Sequence, residues 1–214
     1  MITFYGRKTS DNVQKAWWML LETGQAFDHV ELGGRFGGLD EPEFLRINPH
    51  GRVPALTDGD LMIWESTAII RYLAAEYCEG TFWPETARER AEVDKWTDWA
   101  QSRLYPASNR LFWLSVRTPV PDQDEARIQA TADELKAHML KLDDQLDGHD
   151  YLTGNSLTAA DIVAGATLYR YFENPIAKPD LPRVRTWYAR LQGRPAYAEA
   201  IMHPFEELRG RLAF

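Results

Sequence analysis

Strand-like and helix-like runs alternate through the first 78 residues, and this order constrains the fold more than any other feature of the chain. A short β-prone run at residues 2–6 precedes a helical segment that ends at Gly24. Four consecutive N-cap residue types, Thr9 to Asn12, mark the start of this helix. A second strand-like run follows at residues 26–32. Two strands joined through a helix need a crossover connection, so these strands are predicted to be parallel.

Two further apolar runs are separated by a tight turn in the segment ALTDGDLMIW. Asp58-Gly59 or Gly59-Asp60 between such runs predicts an antiparallel hairpin. A short helix over EPEFLRIN precedes the hairpin, and Ser66 caps a helix over residues 67–77 after it. The order β-α-β-α-β-β-α predicts a small α/β domain with a mixed sheet over residues 1–78.

Strand signals disappear after Pro84, and the rest of the chain reads as helices. Two long helices are predicted at residues 86–117 and 123–147. A buried helix to about Tyr171 begins at a capping box, and two more helices each begin near a proline. We therefore predict a second, all-helical domain over residues 86–214.

Composition excludes several classes of protein. The 214 residues are 44% hydrophobic and carry a net charge of −8 without a basic stripe, which argues against a nucleic-acid partner. No apolar run is long enough to span a bilayer, and the N-terminus lacks the apolar core of a secretion signal. The single cysteine, Cys78, fits a reducing, cytoplasmic setting. The five histidines do not follow metal-ligand spacings, so no metal is expected.

Four segments carry a resemblance to a known family: RVPAL at 52–56, ES at 65–66, SLTAAD at 156–161 and WYARLQGRPAY at 187–197. In this order and spacing they resemble the soluble glutathione transferases over essentially the whole chain. The segment TSDNVQK at 9–15 is most similar to the serine-type members, the phi and theta-like classes, and the chain looks bacterial. The resemblance implies a thioredoxin-like domain followed by an all-helical domain, glutathione as co-substrate, a homodimer and a role in detoxification.

The resemblance also gives a reason for Pro54, which stands where a strand should begin. It implies a cis Val53–Pro54 bond that leaves the Val53 N–H and C=O facing a cleft, where they pair with the cysteinyl backbone of glutathione. Without the resemblance, a trans proline at the start of a strand explains the same residues.

Glutathione brings two carboxylates and one ammonium group, and the residues near Pro54 offer partners for them. Ser66 at a helix N-terminus suits the γ-glutamyl carboxylate, and Glu65 suits the ammonium. Arg52 offers a guanidinium to a carboxylate, although a solvent-facing arginine is an equal alternative. His50 and the loop at 33–38 are placed toward the glycyl end. The phi classes carry a His-Lys pair where this chain has Leu39-Asp40, so the glycyl carboxylate has no assigned partner.

The thiol of glutathione must lose its proton before it can attack, and a hydroxyl at a helix N-terminus stabilises the thiolate. Matched to the serine-type segment, this hydroxyl belongs to Ser10, with Thr9 and Asn12 as alternatives. Ser10 as a plain helix cap is the competing interpretation, and Tyr5 at the end of the first strand is a further candidate. Cys78 lies far from this segment, which disfavours a cysteine mechanism.

The resemblance places the second substrate between the two domains, against the first long helices of the all-helical part. Candidate contacts there are Arg103, Tyr105, Arg110 and Trp113, although core packing is the better explanation for each of the aromatic residues. The predicted function is transfer of glutathione to a small apolar electrophile. Two alternatives stay open: glutathione-dependent reduction of peroxides or disulfides at the same site, and a non-catalytic binding module.

Overall fold

The computed structural model describes residues 1–78 and 80–213 and places four strands in one mixed sheet. The strands are β1 (Ile2–Tyr5), β2 (Phe27–Val30), β3 (Ala55–Asp58) and β4 (Leu61–Trp64), in the order β2-β1-β3-β4. β1 and β2 are parallel, and β3 is antiparallel to both β1 and β4. The predicted parallel pair and the predicted hairpin are both confirmed.

The hairpin turn consists of Gly59 and Asp60, because Asp58 pairs with Leu61 across it. Gly59 has φ 60°, in the left-handed region that glycine enters without a steric penalty. Of the two turns that the sequence allowed, Gly59-Asp60 is therefore the one that forms.

Three helices accompany the sheet: α1 (Asp11–Glu22), α2 (Pro42–Ile47) and α3 (Ser66–Tyr77). Proline at the first position of α2 fits a site where the missing N–H costs no hydrogen bond. The loop at 33–38 contains one 3₁₀ turn, Gly34–Phe36. These elements form the thioredoxin-like domain that the sequence predicted.

Seven α-helices follow within residues 80–213: α4 (Ala87–Trp99), α5 (Tyr105–Phe112), α6 (Glu125–Gln145), α7 (Ala159–Gly165), α8 (Leu168–Glu173), α9 (Pro182–Gln192) and α10 (Pro195–Ile201). α4 and α5 belong to one helical run that continues to Arg117 through π-helical segments at Ala100–Leu104 and Trp113–Arg117. Pro106, which has no N–H to donate, lies two residues after the end of the first π segment. The all-helical second domain is confirmed. The exact ranges 1–78 and 86–214 stay predictions, and Phe214 lies outside the described residues.

The helix predicted to run to about Tyr171 is two helices, which corrects the sequence interpretation. The chain tightens at Ala166–Thr167, where the Thr167 hydroxyl donates to the Ala164 carbonyl at 2.7 Å and the Thr167 N–H donates to the same carbonyl at 3.2 Å. The capping box at the start of α7 is present as predicted. Asp161 accepts from the Thr158 N–H at 2.9 Å and also from the Leu152 N–H at 2.8 Å.

Packing around α1 fixes the region where the two domains meet. α1 contacts α3, α7 and α10, and most of its residues are buried. Gly6 joins β1 to the loop before α1, and a Cβ there would lie 2.5 Å from a Val13 methyl group. A small apolar cluster of Phe112, Val116, Phe205 and Leu208 packs the C-terminal tail against α5 and the π segment that follows it.

Among the described residues, no helix has the length and apolar character needed to cross a membrane.

Candidate active site

A cavity of about 310 Å³ lies where the start of α1 faces α5 and the C-terminal tail. The N-terminal half contributes the loop before α1 and the residues beside Pro54, and the C-terminal half contributes an aromatic wall and two arginines. The lining residues are Arg7, Thr9, Ser10, Asp11, Asn12, Leu39, Arg52, Val53, Tyr105, Asn109, Phe112, Trp113, Arg117, Arg170 and Leu208. Hydroxyl, amide, guanidinium and aromatic groups thus meet in one cleft between the domains.

Ser10 stands at the N-terminus of α1, on the wall of this cavity. Its N–H donates to the Arg7 carbonyl at 3.1 Å, and its carbonyl accepts from the Gln14 N–H at 2.8 Å. Its hydroxyl does not cap the helix, since it accepts no hydrogen bond from the first turn of α1. The backbone of Ser10 therefore starts the helix while its side chain remains available to a ligand at the positive end of the helix dipole.

The Val53–Pro54 peptide bond is cis, as the resemblance implied. Val53 lies on the cavity wall just before the ladder of β3, which begins at Ala55. Within the described part of the chain, neither its N–H nor its C=O forms a loop or turn hydrogen bond with other backbone groups. These two groups have the complementarity of a strand edge for an extended peptide.

Asn48 organises the loop that leads to Val53, a role that the sequence did not reveal. It is only 3% exposed, and its amide donates to the Arg52 carbonyl at 2.7 Å while its side-chain oxygen accepts from the His50 N–H at 3.0 Å. His50 itself is exposed and contacts Trp64 edge-to-face at 4.7 Å. Asn48 thus holds two of the predicted glutathione-binding residues through their backbones.

Glu65 is the N-cap of α3 and Ser66 is its first residue, so the prediction of Ser66 as the cap was wrong by one position. Glu65 is the only non-glycine residue with positive φ in the described chain, at 73°, a strained conformation that often marks a functional site. The Ser66 hydroxyl is buried and donates to the Asn12 side-chain oxygen at 3.4 Å. Asn12 therefore links the start of α3 to the cavity, which Glu65 and Ser66 do not line themselves.

The other sequence candidates fall into two groups. Tyr105 and Trp113 line the cavity, whereas Arg110 pairs with Glu134 on α6 at 3.0 Å and, like the exposed Arg103, lies outside the lining. Tyr5 lines a separate pocket with Phe44. Burial raises the pKa of the Cys78 thiol, which does not favour a reactive thiolate there.

Three charged residues, Asp11, Lys15 and Arg170, are buried close to Ser10, and none of them was predicted from the sequence as a site residue. Arg170 of α8 donates to the Thr9 carbonyl at 2.9 Å and lies 3.7 Å from the Asp11 carboxylate. Lys15 is fully buried, donates to the Gln101 side chain at 2.7 Å and lies 3.8 Å from the ring centre of Tyr105. Burial lowers the pKa of Lys15 to about 8, and the nearby Asp11 charge opposes this effect.

A larger groove of about 470 Å³ lies at the opposite end of α1, where Arg194 and Glu22 are paired with each other at 2.6 Å. Because Arg194 and Glu22 bind each other, this groove offers a ligand fewer polar groups than the cavity at Ser10 does. In residues 1–78 and 80–213, no group of three or more His, Cys, Asp or Glu side chains is arranged to hold a metal ion.

Comparison with known proteins agrees with this geometry. Two family models match, the N-terminal domain of glutathione S-transferase over residues 4–80 and its C-terminal domain over residues 125–190. Glutathione S-transferase GstB of Escherichia coli (strain K12) is 36% identical over 206 residues, which cover 95% of this chain and 99% of that protein. Glutathione S-transferase 3 of Zea mays is 30% identical over 207 residues, covering 94% of this chain and 93% of the maize protein.

Among solved structures, the theta class glutathione S-transferase of Xanthomonas axonopodis pv. citri with glutathione bound has a TM-score of 0.89 at 43% identity. The match covers 95% of this chain and 98% of that one. The fold, the cleft at Ser10 and these likenesses lead to one conclusion: the chain belongs to the glutathione S-transferase family.

Proposed function

We propose that this protein is a glutathione transferase that converts the thiol of glutathione to a thiolate and directs it at an electrophile in the cavity beside α5. The observation that carries the proposal is Ser10, which lines the cavity at the N-terminus of α1 and whose hydroxyl makes no helix-capping bond. The glutathione-bound structure of a 43% identical relative supports glutathione as the co-substrate.

Ser10 acts by donating its hydroxyl proton in a hydrogen bond to the sulfur. A free thiol has a pKa of about 8.5, so only a small fraction is ionised at neutral pH. A charge-assisted hydrogen bond is worth about 1.5–3 kcal/mol, which corresponds to one or two pKa units. Asn12 holds the start of α3 through Ser66, and Thr9 holds Arg170 through its carbonyl, so both support the same segment.

The remaining assignments follow the layout of the site. The Val53 backbone beside cis Pro54 pairs with the cysteinyl backbone of glutathione, and Ser66 with Glu65 binds the γ-glutamyl end. Arg52 and His50 lie along the loop braced by Asn48, toward the glycyl end. By analogy with its relatives we also propose that the protein is a cytoplasmic homodimer.

Glutathione-dependent reduction and non-catalytic binding are the competing functions, and one experiment separates them. The purified protein is titrated with glutathione in a calorimeter and then incubated with glutathione and 1-chloro-2,4-dinitrobenzene or cumene hydroperoxide. A transferase binds glutathione and yields the S-aryl conjugate by mass spectrometry. Oxidised glutathione from the hydroperoxide without conjugate indicates a reductase, and binding without either product indicates a binding module.

A further inference from the structure

The cavity at Ser10 is rich in positive charge, although the chain as a whole is acidic. Four arginines line it, namely Arg7, Arg52, Arg117 and Arg170, and Asp11 is the one carboxylate among the described lining residues. The whole chain carries a net charge of −8. Arg7 and Arg117 also interact with other groups of the protein. What distinguishes the cleft is therefore its excess of positive charge, not an arginine without a partner.

Two of these arginines are buried and held against aromatic rings. Arg117 is 5% exposed, with its guanidinium 3.9 Å from the ring centre of Trp113, and Arg170 is 7% exposed, 4.6 Å from that of Phe112. The Arg117 Nε–H donates to the Arg211 carbonyl at 2.7 Å, which fixes its position further. Burial, and then the charges of Arg7 and Arg170, lower the pKa of Arg117. Like charges gathered in one cleft favour the binding of an anion.

The position of these cations indicates which ligand they serve. Of the groups proposed for the γ-glutamyl and glycyl ends, Glu65, Ser66 and His50 do not line the cavity, whereas Arg52 does and is assigned to glutathione. Arg117 ends the helical run that contains α5, and Arg170 belongs to α8, so both come from the all-helical domain. They therefore border the space next to the sulfur position that is left for the second substrate.

We infer that the second substrate is an electrophile that carries a carboxylate or a similar anionic group on a small aromatic or apolar body. This inference rests on the proposed function and refines the apolar electrophile expected from the sequence. Planar guanidinium groups match a carboxylate in geometry and charge, and the faces of Phe112, Trp113 and Tyr105 contact the apolar part. The arginines also offset the repulsion between a substrate anion and the thiolate.

The reaction with a chlorinated aromatic acid shows which bonds form and break and where the proton and the leaving group go. Glutathione releases its thiol proton to solvent when the thiolate forms. The sulfur then attacks the ring carbon that bears chlorine, a C–S bond forms, the C–Cl bond breaks, and chloride leaves with the bonding electron pair. The carboxylate is unchanged, so its only role is recognition.

A matched pair of probes tests the inference: 4-chloro-3-nitrobenzoate and the neutral 4-chloro-3-nitrobenzamide. For each, kcat/KM at saturating glutathione is divided by the rate constant of the uncatalysed reaction. We expect the wild type to prefer the benzoate and Arg117→Met to reduce this preference about tenfold, since a charge-assisted hydrogen bond is worth at least that factor. Arg117→Lys retains much of the preference, and Arg127→Met, at an exposed site outside the cavity, retains all of it.

Added salt gives a second measurement that needs no variant, in case Arg117→Met fails to fold. Rising KCl is expected to lower kcat/KM for the benzoate and to leave the benzamide nearly unchanged. The inference is overturned if the wild type gives the same ratio of kcat/KM to uncatalysed rate constant for both probes and salt changes neither value. So does an equal loss with both probes in Arg117→Met with weaker glutathione binding, because the cations then serve glutathione. If 1-chloro-2,4-dinitrobenzene is not conjugated either, the proposed function itself fails.

Discussion

Arg170 joins the two domains behind Ser10, and replacing it with methionine is the most informative structural perturbation. The side chain reaches from α8 to the Thr9 carbonyl at 2.9 Å, to the Gln14 side-chain oxygen at 3.5 Å and to Asp11 at 3.7 Å. Methionine keeps most of the apolar volume against Phe112 and removes the charge. We expect Arg170→Met to destabilise the fold and to loosen the segment that carries Ser10.

The size of the effect follows from the burial of the pair. Asp11 is 5% exposed, and one of its carboxylate oxygens has no hydrogen-bond partner among the described residues, so its charge depends on the neighbouring cations, Arg170 at 3.7 Å and Lys15. Removing one partner of a buried ion pair costs about 3–5 kcal/mol when the other charge is left uncompensated. Lys15 remains near Asp11 in Arg170→Met, so we expect a loss at the lower end of this range. Since domains of this size are stable by about 5–15 kcal/mol, the loss is large but measurable.

A double-mutant cycle in urea measures the pair directly. The variants Arg170→Met, Asp11→Asn and the double variant are unfolded in urea, and the free energies of unfolding are compared. We expect a coupling of at least 1 kcal/mol, with the double variant less destabilised than the sum of the single changes. Additive effects within about 0.5 kcal/mol, or an unchanged urea midpoint in Arg170→Met, would refute the interpretation of Arg170 as the compensating charge.

Two further predictions concern Lys15 and Asn48. The Lys15 pKa falls from 10.5 to about 8 on folding. Between about pH 8 and pH 10.5, Lys15 is therefore more protonated in the unfolded chain than in the folded one. For this reason Lys15 makes the free energy of unfolding rise with pH in that range. Lys15→Met should remove that rise and stabilise the protein at pH 7 by about 1–3 kcal/mol, measured by urea unfolding. A lower free energy of unfolding for Lys15→Met than for the wild type at pH 7 contradicts this prediction. Asn48→Ala removes two hydrogen bonds from the loop of His50 and Arg52 and should raise the KM for glutathione about fivefold with little change in kcat. An unchanged KM excludes this role.

The elements that the sequence predicted correctly are those with local signals. The hairpin at Gly59-Asp60 and the capping box of Thr158 and Asp161 depend on residues within a few positions of each other. The break at Ala166–Thr167 was missed because apolar periodicity continues across it, and the bonds from Thr167 to the Ala164 carbonyl leave no pattern in the sequence. The cis bond at Pro54 came from the family resemblance, since local sequence alone favours the trans form.

The site was predictable on its N-terminal side and much less so on its C-terminal side. Ser10, Val53 and Arg52 are close in the chain to recognisable motifs and do line the cavity. Arg170 and Arg117 come from distant helices that carry no motif, and Arg170 contacts a residue 161 positions away. Their convergence depends on how α8 and the end of the α5 run pack against α1, and local patterns hold no information about that packing.

The ultraviolet absorbance of the bound glutathione thiolate against pH tests the central claim most directly. It is measured for the wild type, for Ser10→Ala and for Ser102→Ala, an exposed serine outside the cavity that serves as the control. If Ser10 activates the thiol, the wild type and the control bind thiolate with a pKa one or two units below about 8.5, and Ser10→Ala returns the pKa toward that value. An equally lowered pKa in Ser10→Ala would contradict the role of Ser10.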